Sequence, residues 1–183
     1  MTSSLVGSEM CIRDRDKSGN LWICTEGGGV NVYDRKNNTY RWYRHEEGKN
    51  SISHNNVKAI YYDRNHEIMW IGTHLGGLNK LDLRTNRFTA YRMKAGDPAS
   101  LPSDIVRDIV PYKDKLVIAT QNGICLFDPI TGTCQQLFKK TKEGRGIGMV
   151  ASLCIDKDST LWIAATGEGV YSCLLYTSDA ADE

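Results

Sequence analysis

One short phrase recurs four times along this chain and sets what the chain can fold into. Leu21, Trp22, Ile23, Cys24, Thr25 returns as Met69, Trp70, Ile71, Gly72, Thr73, then as Leu116, Val117, Ile118, Ala119, Thr120, and last as Leu161, Trp162, Ile163, Ala164, Ala165. The steps from Trp22 to Trp70, Val117 and Trp162 are 48, 47 and 45 residues. Self-similarity at a fixed period means stacked copies of one supersecondary unit, none of which buries its apolar faces alone.

The surroundings of the phrase recur in register. Val30, Leu78 and Val170 each stand seven residues after the phrase's isoleucine and follow a glycine, and Gly123 with Ile124 fits after one deletion. An aspartate then closes an apolar alternation at Asp34, Asp82 and Asp128, and one more strand follows, carrying Tyr40 and Trp42, Phe88 and Ala90, or Cys134 and Gln136. A long loop, in which Ser51 and Ile52 are echoed by Ser100 and Leu101, leads to Val57 and Ile60, Val106 and Ile109, or Val150 and Leu153. Period-2 alternation marks strands, and clusters of Asn, Asp and Gly mark turns. No long 3.6 period is present. The pattern predicts an all-β chain, a β-propeller fragment of about three and a half four-stranded antiparallel blades. Trp22, Trp70, Trp162, Ile23, Ile71, Ile118 and Ile163 are its expected core between blades.

Asp16 to Tyr33, with its Asp, Gly, Asn, Leu, Trp, Ile, Thr, Gly, Gly, Gly and Tyr, resembles the two-component regulator propeller repeat, and Asp63 to Leu81 resembles it nearly as well. The third copy departs, with Val117 in place of Trp and only Lys113, Asp114, Lys115 as its turn. The resemblance covers roughly residues 16–172. The expected organisation is a partial blade to about residue 43, blades at 57–91 and 106–138, and a partial blade at 150–172. Arg13 and Met10 stand where apolar inner-strand residues are expected, and Leu174 stands where an aspartate is. Residues 1–15 and 173–183, including SLVGSEMCIRDR and CLLYTSDAADE, resemble translated linker sequence and are expected to be non-native tails around a fragment.

Charge and cysteines narrow the classes. With 23 basic and 22 acidic residues the net charge is +1, and the short Lys139, Lys140, Lys142 cluster reads as a solvated loop, so no nucleic-acid partner is expected. No apolar run of membrane-spanning length occurs, so contact with a membrane is expected only through the parent protein. Of six cysteines, Cys11 and Cys173 lie in the tails. Cys24 and Cys154 read as small buried hydrophobes, and Cys125 and Cys134, in one hairpin, could bond. No spacing suggests zinc, and Asp14, Asp16, Ser18, Gly19 fails as a calcium loop because Thr25 stands at its twelfth position. Gly27, Gly28, Gly29 joins strand to strand, so no phosphate-binding helix follows. No metal, cofactor or catalytic set is expected.

Variable loops on repeated strands suit recognition. The loop after each Trp strand presents Glu26, His74, Gln121 and Glu168, and the loop entering the next blade presents Asn55, Asn56, Ser103, Asp104 and Arg145; both are expected on one face. Such groups, with Trp42 or Tyr43 for stacking, suit a sugar, although each is also what an ordinary solvated loop presents. The resemblance implies the periplasmic, extracytoplasmic sensor of an inner-membrane hybrid two-component histidine kinase that responds to oligosaccharides. It implies further blades, a β-sandwich domain and a homodimer in the parent, with no catalytic core in this chain. The alternative is a secreted propeller binding protein, or a propeller lyase or hydrolase that would use His74.

Overall fold

The computed structural model describes residues 10–138 and 149–175. Fifteen strands and no helix make up the described residues: β1 (Met10–Arg15), β2 (Leu21–Thr25), β3 (Gly29–Asp34), β4 (Thr39–Tyr43), β5 (Val57–Asp63), β6 (Ile68–Thr73), β7 (Leu78–Asp82), β8 (Arg87–Tyr91), β9 (Val106–Tyr112), β10 (Lys115–Thr120), β11 (Gly123–Asp128), β12 (Thr133–Phe138), β13 (Val150–Ile155), β14 (Thr160–Ala165) and β15 (Gly169–Leu174). They form four antiparallel meanders, β1–β4, β5–β8, β9–β12 and β13–β15. The all-β, blade-by-blade architecture expected from the repeat is present. Successive first strands, β1, β5, β9 and β13, touch one another and so lie innermost.

Residues 10–15 form the first strand of the first sheet, with Arg13 opposite Ile23 and Asp14 opposite Trp22. The carboxylate of Asp14 accepts the N–H of Tyr62 in the next sheet at 2.8 Å. At the other end β15 runs to Leu174, and Leu175 donates its N–H to the Ser159 carbonyl at 2.9 Å. Residues 1–9 and 176–183 of the expected tails, the Lys139, Lys140, Lys142 cluster and Arg145 lie outside the described residues.

Three apolar clusters fill the spaces between consecutive sheets. Trp22, Val30 and Val32 meet Val57, Ile60, Met69 and Ile71; Trp70 and Leu78 meet Ile109, Ile118 and Phe127; Val117 and Ala119 meet Val150, Leu153 and Ile163. Strand alternation explains the arrangement, since the Trp position faces the following sheet and the Ile beside it the preceding one. Two expected core residues depart for that reason. Trp162 is 44% exposed because no described sheet follows its own, and Ile23 is only partly buried because none precedes it. Cys154, opposite Trp162 on the same open face, is exposed rather than a buried hydrophobe.

The repeated polar residues are turn and latch devices. Asp16 accepts the N–H groups of Ser18 and Asn20 at 3.0 Å each and the indole N–H of Trp22 at 2.9 Å; Asp156 does the same for Asp158, Thr160 and Trp162. Thr25, Thr73 and Thr120 each donate a hydroxyl across the following turn to Gly29, Gly77 and Gly123. Gly77 sits at φ +74, where a Cβ would lie 2.2 Å from the Tyr91 carbonyl oxygen, so no other residue fits.

Candidate functional site

Each innermost strand breaks its pleat once, near its start. Val57 opposes Thr73 and Ala59 opposes Gly72, so Lys58 is an extra residue on its strand. The same shift leaves Arg107 extra between Val106 and Asp108, and Ala151 extra between Val150 and Ser152. A β-bulge of this kind re-aims one side chain out of the alternation. The sequence signal was the three-residue step between buried Val57 and Ile60, repeated at Val106 and Ile109, where strict alternation allows only even steps. Lys58 and Arg107 were missed because composition alone does not distinguish a bulge from a strand residue.

Beside these bulges sit the turns that follow the Trp strands. His74 donates its backbone N–H to the Asn56 carbonyl at 2.8 Å, Gln121 donates to Ile105 at 3.0 Å and Thr166 to Met149 at 2.8 Å, so the turn loop and the entering loop do meet on one face. Glu26 forms an ion pair with Lys58, whose side chain is 21% exposed. His74 has the corresponding place beside Arg107. Burial, with the positive charges of Arg107 and Lys58 and neighbouring His54, holds the His74 imidazole below its ordinary pKa, so it is neutral at neutral pH. Three side-chain atoms in this cluster are buried without a hydrogen-bond partner: Asn56 Oδ1, His74 Nδ1 and Arg107 Nε.

The expected ligand residues divide. Glu26, His74 and Asn56 come together beside Lys58 and Arg107. Asn55 and Asp104 are spent on structure: Asn55 Oδ1 accepts the N–H of His45 at 2.7 Å, and Asp104 Oδ1 accepts that of Met93 at 2.7 Å. Their carbonyls accept Gly29 and Gly77 at 2.8 Å, latching one sheet to the next. Gln121 is exposed one sheet further on, and Glu168, also exposed, accepts a hydrogen bond from the Tyr171 hydroxyl at 3.0 Å. Tyr43 is unavailable for sugar stacking because its ring lies on Trp22 at 5.4 Å and 9°. Trp42, 56% exposed, belongs to the outer strand β4 and lines a groove of about 560 Å³ with Lys17, Arg41 and Glu67, away from the bulge cluster. Among the described residues no group of His, Cys, Asp and Glu is arranged to hold a metal ion.

Residues 51–74, from the entering loop through His74, match the two component regulator propeller family model. No curated protein matches the sequence. Among solved structures, the extracellular domain assigned to the hybrid two component system BT3049 from B. thetaiotaomicron matches with a TM-score of 0.82 at 26% identity, over 93% of this chain and 24% of that one. The extracellular domain assigned to BT4673 of the same organism matches in two structures. One has a TM-score of 0.69 at 25% identity, over 93% of this chain and 23% of that one. The other has a TM-score of 0.69 at 22% identity, over 92% and 25%, which shows the fold alone. The chain thus spans about a quarter of the length of the solved domains it matches, carries a two-component regulator propeller repeat, and shares its propeller architecture with extracellular domains of two-component systems.

Proposed function

We propose that this chain is a ligand-binding portion of the extracytoplasmic propeller of a two-component sensor, and that its ligand is an oligosaccharide. The observation that carries the sensor assignment is the match over 93% of the chain to the extracellular domain of a hybrid two-component system. The oligosaccharide assignment is supported by the loop face around the bulges, where buried, partnerless hydrogen-bonding atoms and a neutral imidazole are held at the ends of the strands. Sugars present hydroxyls that both donate and accept, which suits Asn56 and His74.

On this proposal the phosphoryl chemistry lies outside the chain. The parent supplies further blades, a β-sandwich domain, a span of the inner membrane and a histidine kinase that works as a homodimer, while these blades contribute ligand contacts. Binding alters signalling only as far as the ligand prefers one arrangement of the parent over another. The test is calorimetric titration of the full chain with a panel of neutral and acidic oligosaccharides. Saturable heat with at least one of them is expected, and a complete panel without heat overturns the oligosaccharide assignment. Reading the source DNA outward from both ends tests the sensor assignment independently: a membrane span and histidine-kinase core downstream are expected, and a frame closing after the propeller without them overturns it.

A further inference from the structure

We propose that Arg107, His74 and Asn56 form a subsite for the carboxylate of an acidic sugar, a uronate, within the oligosaccharide site on whose existence this inference rests. Lys58 and Arg107 occupy equivalent extra positions on β5 and β9. At Lys58 the turn of the preceding sheet supplies Glu26 and cancels the charge. At Arg107 the same turn position holds His74, which burial and the adjacent cations keep neutral.

Arg107 is partly buried, its Nε is fully enclosed without a partner, and none of the described carboxylates pairs with it. A guanidinium taken partly out of water without a counter-ion is costly, and the protein's repeat shows how one would be provided. On β13 the equivalent extra residue is Ala151, and the turn of its preceding sheet holds Gln121, so of the bulges on β5, β9 and β13 only those at Lys58 and Arg107 carry a charge. Among the described residues Arg107 is therefore the one bulge cation without a carboxylate partner. A carboxylate fits it best, because the guanidinium fork donates two parallel N–H bonds to the two carboxylate oxygens in its plane. The neighbouring groups match the rest of a sugar ring: the backbone N–H of His74 bonds the Asn56 carbonyl and holds the two residues together, and the unpartnered Asn56 Oδ1 and His74 Nδ1 are free to bond ring hydroxyls.

The experiment titrates the full chain with digalacturonate and a glucuronate-containing disaccharide, each in parallel with its methyl ester, which removes the charge and keeps the ring. The expected result is tighter binding of at least one acid than of its ester. Arg107→Gln should lower that affinity by about tenfold or more, and Arg107→Lys should restore part of it. Arg87→Gln, on the exposed outer strand, is the control and should bind as the parent chain does. Circular dichroism of each variant checks that the fold is retained. Esters or neutral sugars that bind as well as the acids, with no change in Arg107→Gln, overturn the uronate subsite and leave the oligosaccharide assignment standing. No binding by any sugar, charged or neutral, overturns both.

Discussion

At the scale of single residues, the repeat phrase is a set of local constraints, and its exceptions test that account. Trp22 and Trp70 are both fully buried, yet only Trp22 places its indole N–H on an aspartate. In the second copy one extra residue separates Asp63 from Trp70, the carboxylate turns to the His66 ring at 2.8 Å, and Trp70 Nε1 is left without a partner. Removing the Trp22 indole N–H leaves the Asp16 carboxylate short of a donor, whereas removing that of Trp70 deletes a buried donor that has no acceptor. Trp22→Phe should therefore destabilise the chain by about 2 kcal/mol more than Trp70→Phe, although both remove the same volume. Equal losses in urea unfolding would contradict the hydrogen bond as the reason for the Asp–Trp spacing. A second comparison isolates backbone strain. Gly77 and Gly48 share a positive φ, of 74 and 72, but only at Gly77 does a Cβ strike backbone. Gly77→Ala should cost at least about 3 kcal/mol and Gly48→Ala about 1 kcal/mol in the same unfolding experiment.

At the scale of strands and turns, one carboxylate per hairpin repeats, and its charge state is coupled to folding. Asp34, Asp128 and Asp156 are all held below the ordinary carboxylate pKa. The main cause is a hydrogen bond, from the Asn37 side chain at Asp34, the Thr131 N–H at Asp128 and the Trp162 indole at Asp156. At Asp82 slight burial works in the opposite direction, and hydrogen bonds from Arg84 and Thr85 outweigh it. A native pKa below the unfolded one gives stability that is complete above the unfolded value and lost as pH falls through the native value. Stability should therefore be flat from neutrality down to about pH 5 and fall below about pH 4, and replacing Asp34 and Asp128 by Asn should flatten that fall. An acid limb unchanged in the double variant would place the coupling elsewhere. The element scale also shows what sequence could and could not supply. Strands, turns and sheet order were readable because the strand alternation repeats four times and aspartate-led turns recur between the strands. The bulges were hidden inside that alternation, and with them Lys58 and Arg107. Asn55 and Asp104 looked like free loop groups because their partners, the N–H groups of His45 and Met93, lie 10 and 11 residues away in sequence. No local pattern marks an acceptor as already used.

At the scale of the whole molecule, each sheet completes the sheet before it, which makes the two open faces chemically specific rather than merely apolar. The last sheet presents Trp162 at 44%, Val170 at 67% and Leu174 at 50% exposure, and register puts all three on one face with Cys154. That face is the counterpart of the Trp22 and Trp70 faces, each of which is sealed by the sheet that follows. At the opposite end, Tyr40 and Trp42, each 56% exposed, fall on the face of Ile23, the counterpart of the one through which Ile71 and Phe88 pack backwards. The two open faces are therefore the halves of one repeated joint, and a second copy of the chain offers each half what it lacks. Contacts of this head-to-tail kind join unlike surfaces and need not stop at two copies. The isolated chain should self-associate with rising concentration in sedimentation velocity. Trp162→Arg, which places a charge in the joint while leaving the sealed joints untouched, should shift the distribution towards monomer with little loss of thermal stability. A monodisperse monomer of the unaltered chain across the concentration range would show that the open faces do not recognise each other, and that the complementarity of the sealed joints depends on blades being held side by side by the connecting loops.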